Sequence, residues 1–285
     1  MDYKSKLSTV YCRFRVRLLK GRYELSLPVG ATGGEPMKMK LMFLAVPVLF
    51  ACGVFAQSSI PPGTILPARL NSSLNPRKIH PGQRITARIM QDVPLPSGRK
   101  IPSGSKLAGQ ILSVETHGPQ SAKINFRFDQ LHFSHHSVGI SAHLRALASV
   151  MQVEDAQTPP TGPDRGTPWV WATRNLIGGE VAYGTGPVAR GTEIVGEGVI
   201  DGVLLPARAN PDRGCRGEAA GNSAPQAFWV FSSDACGVYG LEDLQISHAG
   251  RTPPVGEVML SSNTGRLNVR AGSGLLLRVN FVAEQ

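Results

Sequence analysis

Four of the seven histidines, His132, His135, His136 and His143, fall within twelve residues, the densest gathering of potential metal ligands in the chain. A hairpin folding between them would bring His132 and His143 together, and the loop imidazoles could complete a nitrogen-donor site. Two features oppose this. His135 and His136 are adjacent in a turn, where neighbouring side chains diverge, and no Cys, Asp or Glu repeats beside them at ligand spacing. The four are expected as solvated turn residues, and no metal or other cofactor is expected.

Other constellations are weaker. Ser97-Gly98-Arg99-Lys100 and Ser103-Gly104-Ser105-Lys106 match the Ser-x-x-Lys pattern of penicillin-binding enzymes, whose chemistry needs the serine at a helix start with the lysine one turn later. Both copies lie in Pro/Gly turns that lead into strands, and no Lys-Thr-Gly accompanies them. Cys215 and the distant His117 could form the thiolate and base of a cell-wall transpeptidase, but Cys236 is a ready oxidation partner. Glu154-Asp155 and Glu242-Asp243 are adjacent pairs that point apart or sit in loops. Gly184-Thr185-Gly186 and Gly196-Glu197-Gly198 lack the strand-to-helix setting of a nucleotide site. Trp169, Trp171 and Trp229 could line a glycan or peptide groove, although core packing is the commoner use of such rings. No catalytic or cofactor-binding residue is assigned.

The compartment is easier to read than the chemistry. Met37-Lys38-Met39-Lys40, the apolar run Leu41–Val54 and the small residues Val54 and Ala56 have the three-part layout of a secretory signal, with cleavage between Ala56 and Gln57. The run is too short, and too soon followed by Pro61-Pro62, for a membrane-spanning helix. Residues 1–36 are then an upstream mis-start or a disordered extension, and 37–56 the signal peptide. Leu49-Phe50-Ala51-Cys52 lies close to a lipobox, so a lipoprotein anchored at Cys52 is the minority reading. In an oxidising compartment Cys215 and Cys236 are expected to pair, enclosing 20 residues and stabilising by about 3 kcal/mol on a chain-entropy estimate.

Nine of the 30 basic and three of the 20 acidic residues lie in the first 56, so the rest of the chain carries +4 rather than +10. Its basic residues are scattered, which argues against a nucleic-acid partner.

These groups must be positioned by β-structure. Short apolar runs alternate with turn clusters, and no stretch holds a 3.6-residue period over three turns. Strands are expected at 64–70, 82–90, 106–114 and 122–128. Apolar parity moves by one at Asp129-Gln130, which predicts a bulge, and Ser134–Ser137 forms a hairpin loop. A Pro/Gly-rich linker or long loop is expected over 152–172. A second β unit, 173–285, should hold strands at 193–198, 202–207, 227–232, 256–261, 266–270 and 275–279, with a hairpin turn at Asn263-Thr264-Gly265. A Gly-hydroxyl-apolar lead-in recurs at Gly63-Thr64, Gly104-Ser105 and Gly191-Thr192.

Gly63-Thr64-Ile65-Leu66-Pro67-Ala68-Arg69-Leu70, then Gly82–Arg88 with Gln91-Asp92-Val93, then Ile101–Gly109, resemble the C-terminal β domain of TrbI-type conjugal-transfer proteins. The resemblance covers residues 60–145 and implies a β-barrel with appended strands, without a catalytic site, from an envelope secretion machine. The remainder is similar to uncharacterised exported bacterial proteins. The expectation is therefore an all-β protein: a barrel- or sandwich-like unit over 57–151, then a second β-rich unit. It would act in the periplasm or outside the cell as a non-catalytic interaction or assembly module, with envelope proteins or cell-wall polymer as partners. The alternatives are a peptidoglycan- or glycan-acting enzyme built around Trp229, Asp234 and His248, or a periplasmic metal or ligand binder.

Overall fold

The computed structural model describes residues 60–134, 136–158, 173–199, 202–206 and 225–280. The elements of the first half are β1 (Ile65–Leu70), β2 (Arg84–Ile89), β3 (Val93–Pro94), β4 (Lys100–Ile101), β5 (Lys106–Thr116), β6 (Ala122–Phe133), β7 (His136–Gly139), β8 (Ala142–Ala148) and helix α1 (Val150–Gln157). The second half contributes β9 (Thr173–Asn175), β10 (Val181–Tyr183), β11 (Pro187–Arg190), β12 (Glu193–Val199), β13 (Gly202–Pro206) and β14 (Pro225–Ala227). It ends with β15 (Gly237–Tyr239), β16 (Leu244–His248), β17 (Val258–Ser262) and β18 (Gly274–Val279).

Ten strands form one sheet in the order β15-β8-β18-β1-β2-β5-β6-β17-β16, with β7 beside β6. Its ends come round to meet. β8 carries β15 on its free edge, and before that pairing the Leu144 N–H donates to the Ala249 carbonyl at 2.9 Å, just past β16. The result is a nearly closed barrel, and closure removes edges that would otherwise be open to aggregation.

Alternation drives this as expected: on β2, Ile85, Ala87 and Ile89 are buried while Arg84 and Arg88 are exposed. On β6, Ile124, Phe126 and Phe128 point inward, then Leu131 and Phe133 do. Gln130 pairs with Ala108 and Phe128 with Gly109, so Asp129 is the extra residue of a bulge at the predicted position.

Five barrel strands are led in by one kind of turn. Preceding β1, β2, β5, β17 and β18, the residue after a glycine donates its N–H three residues back, to the carbonyls of Pro61, His80, Pro102, Pro254 and Arg270, at 3.1–3.2 Å. The glycines, Gly63, Gly82, Gly104, Gly256 and Gly272, have φ between 81° and 95°, as the third position of a type II turn demands. In the first and third, the hydroxyls of Thr64 and Ser105 donate to the same carbonyls at 2.6 Å. Gly191 belongs instead to a two-residue hairpin turn between β11 and β12, so the third copy read from sequence is a different device.

Six strands form a second sheet, the antiparallel meander β14-β13-β12-β11-β10-β9. It packs on the outer wall of the barrel, where Ile65, Ala146 and Leu276 join Ala182, Val188 and Val203 in a second core. The interior of the barrel is the first core, filled from β1, β2, β5, β6, β8, β17 and β18.

Several expectations are corrected. β15 to β18, assigned by sequence to a second unit, pair with β8, β6 and β1, so the barrel draws on both halves and the chain from Phe55 onward is one compact unit. The expected linker begins as α1, capped by Ser149, whose side chain accepts the Gln152 N–H at 3.2 Å. Residues 159–172 lie outside the described residues. Residues 228–232 are not a strand: they form a buried turn in which the Phe231 N–H bonds the Phe228 carbonyl at 2.9 Å. Residues 266–270 make one bridge, Val269 with Leu74, and Asn263–Gly265 does not close a hairpin, because β17 lies between β6 and β16 while β18 lies between β1 and β8.

Candidate functional site

The strongest anomaly in the backbone is the segment Phe228–Asp234, wholly buried between barrel and meander. Trp229 has φ +53°, a left-handed conformation that side chains with a Cβ avoid. Gln91, 2% exposed and just past β2, holds it. Its Oε1 accepts the N–H of Trp229 at 2.7 Å and of Val203 at 3.0 Å, and its Nε2 donates to the Val203 carbonyl at 2.8 Å. A side chain on Gly202 would strike the Gln91 amide, so this glycine is what lets β13 come so close. A second amide, Gln226 Oε1, accepts the Ile65 N–H of the barrel at 3.0 Å.

Next to it lies an ionic cluster. Glu180, 0% exposed, accepts Arg190 Nη2 at 2.7 Å and the Ser233 hydroxyl on Oε1, and the Ser233 N–H on Oε2 at 2.9 Å. The Glu180 N–H donates to Ser232 Oγ at 2.9 Å, Arg145 Nη2 donates to the Ser233 carbonyl at 3.1 Å, and Asp234 Oδ1 stands 3.8 Å from Arg190. Both oxygens of Glu180 are occupied by donors from the fold itself. A carboxylate so engaged is suited to locking Ser232–Asp234 against the meander rather than to moving protons.

Chemically accessible space opens beside Gln91. A cleft of about 560 Å³ lies between the β3–β4 hairpin and the meander, lined by Gln91, Asp92, Pro94, Lys100, Thr185, Gly198, Val199 and Leu204. Its size is within the range of small-molecule and side-chain pockets, and its walls are mostly apolar. The charges at its rim close on each other. Lys100 Nζ meets Asp92 Oδ2 at 2.5 Å, and Asp92 Oδ1 accepts the Ser103 N–H at 2.8 Å. The Lys100 hydrogen bond, followed by that from Ser103, holds the Asp92 carboxyl below its ordinary range. The cleft is thus built to receive an apolar group, with the Asp92–Lys100 pair and Thr185 available at the margin.

The structure separates the residues singled out from sequence. His132 and His136 line a second groove beside the Pro102–Ser105 turn, whereas His143 is buried on β8 with its Nδ1 2.7 Å from Asn280 Oδ1. His135 lies outside the described residues, and no group of three or more metal-ligating side chains occurs among those described. Ala56, Gln57, Cys52, Trp169, Trp171 and Cys215 also lie outside the described residues. Cys236 is half-buried, and its N–H donates to Tyr239 Oη at 3.0 Å. Trp229 and Asp234 belong to the buried segment, while His248 sits on barrel strand β16, 3.4 Å from the Pro254 carbonyl. Ser103 is in a type II turn and Lys106 on a strand, without the helical turn that Ser-x-x-Lys chemistry needs. Sequence reading missed Gln91, Glu180 and Arg190, whose importance arises from partners 10 to 138 positions away. Only the polarity of Gln91 next to an apolar strand end hinted at a tertiary partner.

The sequence matches no protein-family model and no curated protein.

Proposed function

We propose that the protein is an exported, non-catalytic component of the bacterial envelope that works as an interaction or assembly module, and that its barrel is akin to the TrbI-type domain. The observation that carries this reading is the apolar cleft between the β3–β4 hairpin and the meander, whose two charged groups, Asp92 and Lys100, are engaged with each other. Such a site can recognise a partner's apolar side chain, and its two charged groups are paired with each other rather than set beside a nucleophile. The type II lead-ins of β1 and β5 fall on the residues that carry the TrbI resemblance, which supports kinship of the barrel. The signal-like block before residue 57 supports export, and pairing of Cys215 with Cys236 would follow from it.

The test is the intact mass of the full chain recovered from bacterial envelope fractions, with and without reduction and alkylation. A chain starting at Gln57, alkylated at two cysteines only after reduction, is expected. A chain recovered from the cytoplasm with residues 37–56 still attached overturns the export reading. A photo-crosslinking residue at Val199 should capture a defined envelope partner in cells, and capture should be lost in Leu204→Glu. Hydrolysis of purified peptidoglycan, abolished by one substitution, would overturn the non-catalytic reading.

A further inference from the structure

The second groove, about 570 Å³, runs between the Pro102–Ser105 turn and the β6–β7 hairpin and is separate from the cleft beside Gln91. It is lined by Ser103, Lys106, His132, Ser134, His136 and Ser137 together with Pro102, Gly104, Ser105 and Phe133. Among the described residues its titratable groups are Lys106 from β5, His132 from β6 and His136 from β7, with no carboxylate in the lining. The acid nearest in the hydrogen-bond network, Asp92, takes the Ser103 N–H from behind the turn and is already paired with Lys100.

Register makes this more than a scatter of surface cations. Lys106 stands directly opposite His132, and His132 directly opposite Ser137, so ammonium, imidazole and hydroxyl form a row on one face of three adjacent strands. Side chains so placed sit about 5 Å apart at Cβ, close enough to contact one small ligand together. Among the described residues, Lys106 has no ion-pair partner, and no side-chain hydrogen bond is formed by Ser103, Ser134 or Ser137. Lys106 is a cation without a counter-charge among the described residues, and the imidazole and hydroxyls beside it can all donate to an anion from outside.

We propose that this groove binds a phosphate group, with Lys106 as its cation, the His132 imidazole beside it, and the Ser103 and Ser137 hydroxyls completing its hydrogen bonds. A tetrahedral anion spans neighbouring strands, and the Lys106 ammonium offers its oxygens a charge-assisted bond. The groove is larger than one phosphate, which leaves room for whatever the phosphate is attached to. That carrier is either a soluble molecule or a lipid headgroup at a membrane surface.

The test titrates the full chain with inorganic phosphate by NMR or calorimetry and, in parallel, measures flotation with phosphatidylglycerol vesicles. Saturable binding in either arm is expected, weakened about tenfold or more by Lys106→Gln with His132→Gln and retained by Lys106→Arg. Binding of free phosphate identifies a soluble source, and binding to vesicles alone identifies the headgroup. All the exchanged side chains are half-buried or exposed, so unchanged thermal melting should accompany the loss. The proposal is overturned if neither arm binds, if the double variant binds as well as the parent, or if the groove takes up zinc through His132 and His136 while ignoring phosphate.

Discussion

Gln91 ties three parts of the molecule with one amide: the end of β2, strand β13 and the strained Trp229 backbone. Removing it takes the acceptor from two buried N–H groups, those of Val203 and Trp229, each costing about 1–3 kcal/mol, while the Val203 carbonyl keeps the Phe228 N–H. Gln91→Ala is therefore expected to destabilise by about 3 kcal/mol or more, read as a lowered urea midpoint. Asp92, next in sequence, behaves differently because it is half-exposed. Its carboxyl titrates below the ordinary range in the folded chain, so the stability it adds is complete above about pH 4 and is lost as pH falls through the depressed value. Solvent screening limits this to a few tenths of a kcal/mol, and Asp92→Asn should flatten that part of the acid limb in urea melts taken from about pH 5 to about pH 2. Sequence reading could find neither role. An isolated glutamine or aspartate after a strand shows its polarity, but not the backbone groups folded over it.

At the scale of elements, much more was legible. The alternation on β2 and the parity change at Asp129 are local patterns, and local patterns survive into the fold because a strand must present one face to a core. The bulge also explains a glycine. A Cβ on Gly109, opposite the bulge, would run into the Arg127 carbonyl, so Gly109→Ala is expected to prevent stable folding, seen as loss of the cooperative transition and of soluble protein. Elements went unread where tertiary burial overrode pattern. Phe228–Ser232 has strand-like composition, yet every residue is buried and the chain turns there, because it fills the space between two sheets and pairs through no more than an isolated bridge, Phe231 with Ile177. Helix α1 is only eight residues long, too short to establish a helical period, and only its Ser149 cap marks it.

On the scale of the whole molecule, the all-β class was legible and the partition was not. Sequence order suggests two consecutive units, but pairing partners are chosen by exposed edges, and the free edge of β1 is completed by β18. Because Ile65 and Leu276 belong to the core that the barrel shares with the meander, the two layers should unfold together. Far-UV circular dichroism and tryptophan fluorescence, the latter reporting the buried Trp229, are expected to give coincident urea transitions. Two separated transitions would mean that the meander melts independently.

The pairing of β1 with β18 joins residues about 210 positions apart, so the contact that seals the barrel becomes possible only after the strands between them have been made. A nascent chain released as far as residue 270 already holds most of its strands but has an unfilled gap between β1 and β8. Long-range closure of this kind is slow compared with local pairing, and it cannot start before β18 is free. A chain held before β18 is released therefore keeps the facing edges of β1 and β8 unpaired and open to protease, and freeing that one strand should protect both at once.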